Sequence, residues 1–524
     1  MALRTGKCTN FGNCSIADSG KILEIQPGQD YVCPECGRGL LGNAPSGGAS
    51  RSGLFIAGIL AFLVLAAVAA WFALSGGSKP APDTAQPAPA PVAPPRKAEA
   101  PPPPPAAAER VLALHGSNTI GAGMAPSLVE AFLRQEGYSD VKRVPGRNAE
   151  ELTIEARSPQ GVQQAVEIQA YGSGTAFKAL QEGRADIGMS SRRIKPEEVS
   201  MLGSLGDMTG PANEHVIALD GIAIVVHPNN PVRTLTRKQI ADIFAGRITD
   251  WSQVKGTAGP IHLYARDDKS GTFDTFQNLV LGSEKLAPGA KRFEDSAQLS
   301  DAVANDPAGI GFIGLPYIRN ARALAVSDIG AAPLIPSRFT VATEDYALSR
   351  RLYLYTPENP PNPLVRRFVA FAQSKAGQEA VGSSGFVPQT VRPETLTVDA
   401  GAPAEYRKLT QGAQRLSLNF RFRTGSADLD NKARLDLDRV VDFLSDMNVQ
   451  GQSIMLFGFA DSQGGRELNL KLSRERAQSV ASQFQQRGVK PGVVTGFGYD
   501  LPVASNDSEE GRAKNRRVEI WVKR

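Results

Sequence analysis

The chain has 524 residues, which at roughly 150 per domain is too long for one hydrophobic core and implies about three or four units. A formal net charge of +5 with 21% charged residues is mild, and Lys and Arg are interspersed with Asp and Glu, so nothing points to nucleic acid. Only four His occur (His115, His215, His227, His262), none paired at metal-ligand spacing on a helix, which argues against a His-based metal enzyme.

All four Cys lie in the first 36 residues, as Cys8-x5-Cys14 followed after 18 residues by Cys33-Pro-Glu-Cys36. The tight second turn lets two thiolates reach one tetrahedral ion, so residues 1–45 read as a zinc ribbon with Zn2+ as a structural cofactor held by Cys8, Cys14, Cys33 and Cys36. Two disulfides are the competing pairing, favoured if this end lies outside the cell. The segment resembles the zinc-ribbon modules of many bacterial membrane proteins. Leu54 to Leu74 is 21 residues without a charge, enough at about 1.5 Å per residue for a transmembrane helix. A cleaved signal peptide is the other reading, but some 53 residues with their own Cys framework precede this run. Residues 75–109 are rich in Pro and Ala and form a spacer that polyproline II geometry could extend by up to ~90 Å.

Residues 110–393 alternate strand-like and amphipathic helical runs, the pattern of an α/β domain. Three times a strand runs through a small polar turn into a helix. Val111 to His115 leads to Gly116-Ser117-Asn118-Thr119, and Val166 to Tyr171 to Gly172-Ser173-Gly174-Thr175. Ile261 to Ala265 leads to Arg266-Asp267-Asp268-Lys269-Ser270-Gly271-Thr272. Free N–H groups at helix starts, hydroxyl donors and a guanidinium can converge on one oxyanion. Any one such turn alone reads as ordinary N-capping, and the threefold recurrence favours a ligand.

With the runs Ala185 to Arg192, Asp220 to Ala223, Ile240 to Trp251 and Gly309 to Phe312, this region resembles the periplasmic phosphate-binding proteins of ABC transporters. The resemblance implies two lobes closing on a hinge around phosphate or a related oxyanion. Its ligand residues carry over to Ser117, Thr119, Ser173, Arg266, Ser270, Gly271 and Thr272, and Gly174 and Thr175 of the second turn join the candidate anion-binding set. Ser191 stands where familiar phosphate binders have an Asp, which leaves the choice of oxyanion open. Asp186, on the same strand, reads as structural.

A polar stretch, residues 394–412, separates a smaller α/β unit at 413–524. Its expected elements are a strand at Arg415 to Phe422, a helix from Asn431 to Met447, a strand at Ser453 to Phe459 and a helix from Arg466 to Arg487. On the last helix Asn469, Ser473 and Arg476 share one face beside Asp461, with Leu468, Leu472, Val480 and Phe484 on the packing side. An acid and a base held apart suit a zwitterion, although a surface salt bridge is the commoner explanation of such a pair. Phe420, Thr424 to Ala427, Asp461, Gly464, Asn469, Leu472-Ser473, Arg476-Ala477, Gly496 to Gly498 and Asn515 to Ile520 resemble an OmpA-like peptidoglycan-binding domain. That resemblance implies that Asp461 and Arg476 hold the diaminopimelate of the peptide stem, with Asn469 and Arg517 shaping the pocket.

The expected fold class is therefore multidomain α/β, with a zinc ribbon, one transmembrane helix, a two-lobed periplasmic-binding-protein fold and an α+β OmpA-like domain. Peptidoglycan binding would put everything after the helix in the periplasm and the N-terminus in the cytoplasm, the chain being a single-pass inner-membrane protein. No Gly-x-Ser-x-Gly elbow or nucleophile and base pair is present, so no enzyme is expected. An ABC permease is a candidate partner. The rival reading is an envelope scaffold whose central domain binds protein instead of an anion.

Overall fold

A computed structural model describes residues 4–8, 16, 21–25, 32–35, 40, 108–268, 270–422 and 428–523, in two compact units, 1–102 and 103–524. The expected membrane helix at 54–74 lies outside the described residues, as does nearly all of the spacer. Among the described residues no helix is long and apolar enough to cross a membrane. In the first unit two short strands, Arg4–Lys7 and Ile22–Ile25, pair antiparallel. Cys8 and Cys33 are buried in one small cluster with Ile25 and Leu40.

The second unit begins with a two-lobed domain. In the first lobe β1 (Glu109–Gly116), β2 (Ser139–Pro145), β3 (Glu151–Arg157), β4 (Gln163–Gln169) and β5 (Ile187–Ser190) run in the order β5-β1-β4-β3-β2. In the second, β6 (Glu214–Val226), β7 (His262–Arg266), β8 (Lys291–Phe293) and β9 (Gly309–Gly314) run β8-β7-β9-β6. The hinge follows from the length of β6, 13 residues, which serves both lobes. Its first half pairs antiparallel with β10 (Ser349–Tyr355), which returns the chain to the first lobe, and Ile222 to Val226 pair with β9.

Each lobe buries its own core. Helix α1 (Ala125–Gln135) starts on Pro126 and lays Leu128, Val129, Phe132 and Leu133 on the first sheet, where Phe132 meets Phe368 edge to face at 5.3 Å. In the second lobe Phe276 stacks on Phe312 at 3.9 Å among Phe244, Ile310 and Tyr346. Aromatic pairs of this kind add about 0.5–1.5 kcal/mol to area burial.

The C-terminal domain has β11 (Gln414–Arg421), β12 (Ile454–Gly458), β13 (Val493–Gly496) and β14 (Arg517–Val522), in the order β11-β14-β12-β13. The polar stretch expected to separate the domains is part of this one instead. Pro393–Glu394 pairs with β11, and the helix Ala404–Thr410 buries Tyr406 against Phe457, Phe459, Phe497 and Trp521, its hydroxyl on Glu519 at 2.8 Å. The long helix also differs from its expected orientation: Leu468 is 51% exposed, while Asn469 and Ser473 are buried. Gly458 and Gly496 let that helix approach the sheet so closely that a β-carbon at either would strike Ser473. The Ser473 hydroxyl then accepts from Gly498 N at 2.9 Å.

The two domains of this unit are joined through polar side chains. Arg415 and Asn419 of β11 reach Asp345 at 2.7 and 2.8 Å, and Arg351 of β10 reaches Asp430 at 2.7 Å. Asn431 donates to Thr209 O and to Glu214 at 2.9 and 3.1 Å.

Candidate functional sites

The turn after β1 is tied to its neighbours by backbone bonds: Ser117 N donates to Met189 O at 2.9 Å and Gly172 N to Gly116 O at 2.8 Å. Gly116 and Gly172 take φ of +138° and +102°, open to glycine at no steric cost. Helix α2 (Ser173–Gln181) begins at the second turn, where Ser173 Oγ lies 3.0 Å from Ser191 Oγ and accepts from Ser191 N at 3.0 Å. Gly174 and Thr175 are exposed, and the Thr175 hydroxyl donates to Gly172 O at 2.8 Å, stabilising its own turn.

The third turn belongs to the second lobe. Ser270 caps helix α3 (Gly271–Phe276), accepting from Thr272 N and Phe273 N at 3.2 and 3.4 Å. Across the cleft the Thr119 hydroxyl donates to Gly271 O at 3.0 Å. A cavity of about 260 Å³ opens here, lined by Asn118, Thr119, Arg266, Ser270, Gly271 and Thr272. Arg266 donates to Phe293 O at 3.2 Å, Glu294 O at 2.7 Å and the Ser296 hydroxyl. Those contacts take three of the five N–H bonds of a guanidinium and fix its plane, with Asp267 Oδ2 3.7 Å from Nη2. Burial lowers its pKa from the ordinary value, against the pull of Asp267 and Asp295.

Of the sequence-predicted anion residues, the structure thus gathers Thr119, Arg266, Ser270, Gly271 and Thr272 around one cavity. Ser173 and Ser191 form a separate pair, Ser117 is fully buried behind its turn, and Gly174 and Thr175 sit at the surface. Asp186 is structural, its carboxylate accepting from Ala113 N at 2.8 Å. Sequence reasoning missed Arg350 of β10, whose side chain is only 6% exposed at the hinge. Its Nη2 donates to Thr119 Oγ1 at 2.6 Å and Gly271 O at 3.2 Å, and Nη1 to Ser191 O at 3.4 Å. Asp220 and Asp274 lie 3.4 and 3.7 Å away. A signal was present in the sequence: two adjacent Arg inside the otherwise apolar strand Leu348 to Tyr355.

The second candidate site lies at the C-terminal end of β12. Asp461 pairs with Arg516 at 2.9 Å, and Arg516 reaches Glu509 at 2.6 Å. Arg476 stands over the Phe422 ring at 5.7 Å and donates to Phe459 O at 3.3 Å. Burial lowers the Arg476 pKa, as does nearby Arg516. Asn469 clasps the loop below, donating to Gln463 O at 2.9 Å. Arg517 does not join them. It is 2% exposed, paired with Glu519 at 2.7 Å, its guanidinium 4.0 Å from the Phe459 ring centroid. The expected motif residues Thr424 to Ala427 lie outside the described residues.

In the first unit, Cys8 and Cys33 lie in one buried cluster with Ile25 and Leu40. Cys14 and Cys36 lie outside the described residues. Among the described residues no group of three or more His, Cys, Asp or Glu comes together as a metal site.

Residues 148–376 match the PBP superfamily domain and residues 421–516 the OmpA family. The phosphate-binding protein PstS of Pseudomonas aeruginosa is 30% identical over 240 residues, 43% of this chain and 74% of that protein. Protein SphX of Synechococcus elongatus is 32% identical over 274 residues, 50% of this chain and 79% of that protein. An ABC-type phosphate transport receptor from Vibrio cholerae superposes at a TM-score of 0.42 with 24% identity, over 53% of this chain and 99% of that one.

Proposed function

Since the chain belongs to the family of the PstS phosphate-binding proteins, with an OmpA-family domain following that module, we propose that it captures phosphate or a similar oxyanion and attaches non-covalently to peptidoglycan. It is a binding protein, as its relatives are, and not an enzyme. The observation that carries the reading is the interlobe cavity, where Arg266 is held beside the Ser270 to Thr272 turn and faces Thr119 of the other lobe. A hydrogen bond to a charged partner is worth about 1.5–3 kcal/mol, so loss of Arg266 should weaken capture by at least roughly 10- to 150-fold, the equivalent of one such bond. Calorimetric titration of the purified full-length chain with phosphate, sulfate, molybdate and arsenate tests this, with Arg266→Ala beside it. Phosphate heat that collapses in the variant supports the site, whereas silence with every anion would favour a scaffold that binds protein.

For the wall, Asp461 is suited to an ammonium group and Arg476 to a carboxylate of the diaminopimelate stem, with Arg516 holding Asp461 in place. Leu54 to Leu74 would anchor the chain in the inner membrane, leaving the Cys cluster in the reducing cytoplasm, where four thiolates hold a structural zinc. An ABC permease in the same membrane is the partner that a captured anion would be passed to.

A further inference from the structure

At the hinge, Arg350 touches both lobes at once. From β10 its guanidinium reaches Thr119 Oγ1 and Ser191 O in the first lobe, and Gly271 O and Asp274 in the second. Its register partner across the strand pair is Asp220, which also takes its Nε at 3.4 Å. The Thr119 hydroxyl accepts from Arg350, so its own proton is free to go to Gly271 O, as the 3.0 Å contact records. Gly271 O thereby collects donors from Arg350, Thr119 and, at 2.8 Å, the Thr275 hydroxyl. A bare carbonyl oxygen beside a captured oxyanion would repel it, and three donors screen that charge. Arg350 lies on β10, whose far end pairs with β5 of the first lobe, whereas Gly271 and Asp274 belong to α3 of the second, so these contacts bridge the two lobes.

We propose that Arg350 is a positioning residue for anion capture, a hinge cation that locks the Thr119 turn of one lobe to the Gly271 turn of the other and so stabilises the closed cleft around the ligand. This deepens the reading of the cleft as an anion site and rests on it. Arg suits the role better than Lys, because a planar fork can serve several acceptors in different directions while an ammonium is a point charge on a flexible stem. Asp220 and Asp274 keep the buried cation compensated, and without it they would add negative charge beside the anion turns.

The test uses the full-length chain with Arg350→Lys and Arg350→Gln, titrated with inorganic phosphate by calorimetry. Phosphate release rates are followed by stopped flow, and lobe closure by the distance between fluorophores placed one on each lobe. Both variants should bind phosphate about 10- to 100-fold more weakly, mainly through faster release, with the closed distance no longer reached at saturation. Arg350→Lys keeps the charge, so it covers the case in which the Gln variant fails to fold. A thermal midpoint near wild type together with lost closure separates positioning from general destabilisation. Wild-type heat with unchanged affinity and closure in Arg350→Lys overturns this inference alone. Absence of heat with any oxyanion in the wild-type chain overturns the anion reading and this inference with it.

Discussion

At Gly271 the two lobes come into close contact, since a β-carbon there would lie 2.5 Å from Thr119 Cα and 2.6 Å from its N. Backbone cannot yield cheaply at such a distance, so Gly271→Ala should prop the cleft open and weaken phosphate binding by about tenfold or more without unfolding either lobe. Calorimetry of the variant checks this, and an unaltered dissociation constant would mean that the turns need not touch. Arg516 and Arg517 make the same point about local position. They are chain neighbours whose side chains leave in opposite directions, one to Asp461 and one into the buried pair with Glu519. Asp461→Ala and Arg476→Ala should abolish retention on purified sacculi while leaving the fold intact. Arg517→Ala should act through stability, lowering the thermal midpoint by the equivalent of about 3–5 kcal/mol because Glu519 loses a buried partner. Normal stability with lost retention in Arg517→Ala would restore it to the pocket.

At the scale of elements, β10 connects the cleft to the C-terminal domain. Arg350 turns to the cleft, and Arg351, the next residue on the strand, takes Glu344 at 2.8 Å and Asp430 of the C-terminal domain at 2.7 Å. Burial alone would raise the Glu344 carboxyl, but Arg351 and Arg421 outweigh it and hold the pKa down at about 2. Burial would likewise raise the Glu519 carboxyl, and Arg415 and Arg517 overcome it, holding that pKa also at about 2. For carboxylates whose folded pKa lies below the unfolded value of 4.5, the stabilisation is complete above that pH and is lost as pH falls toward 2. Acidification through that window should therefore weaken the C-terminal core at Glu519 and, through Glu344, which faces Arg421 of the C-terminal domain at 3.7 Å, loosen the contact between the two domains, read as growth in the radius of gyration by small-angle scattering. A radius constant from neutral pH down to about 2 would contradict the assigned role of these pairs.

For the whole molecule, residues 103–524 form one compact unit, so the OmpA-family domain rides on the PBP-superfamily domain and is not strung from it on a flexible tether. The membrane topology proposed for the rest has a direct check. Protease added to intact spheroplasts should remove the C-terminal domains and spare the Cys-rich front, and the reverse pattern would invert every compartment assignment. Zinc measured in the purified chain, about one per molecule and lost on Cys33→Ser, would support the ribbon, whereas metal-free protein would refute it. By itself the sequence was sufficient for whatever is local: turn motifs with Ser270 and Arg266 four residues apart, and a helix at 431 to 446 within one residue of its expected end. A hinged two-lobed module followed by a wall-binding one was implied by the family resemblance that those local motifs carry. Only the tertiary structure could decide which hydroxyls share a cavity, that residues 394 to 412 pack instead of linking, and that Arg350 meets Thr119 across 231 positions. Such contacts come from burial and strand pairing between distant segments, and no spacing in one stretch of sequence records them.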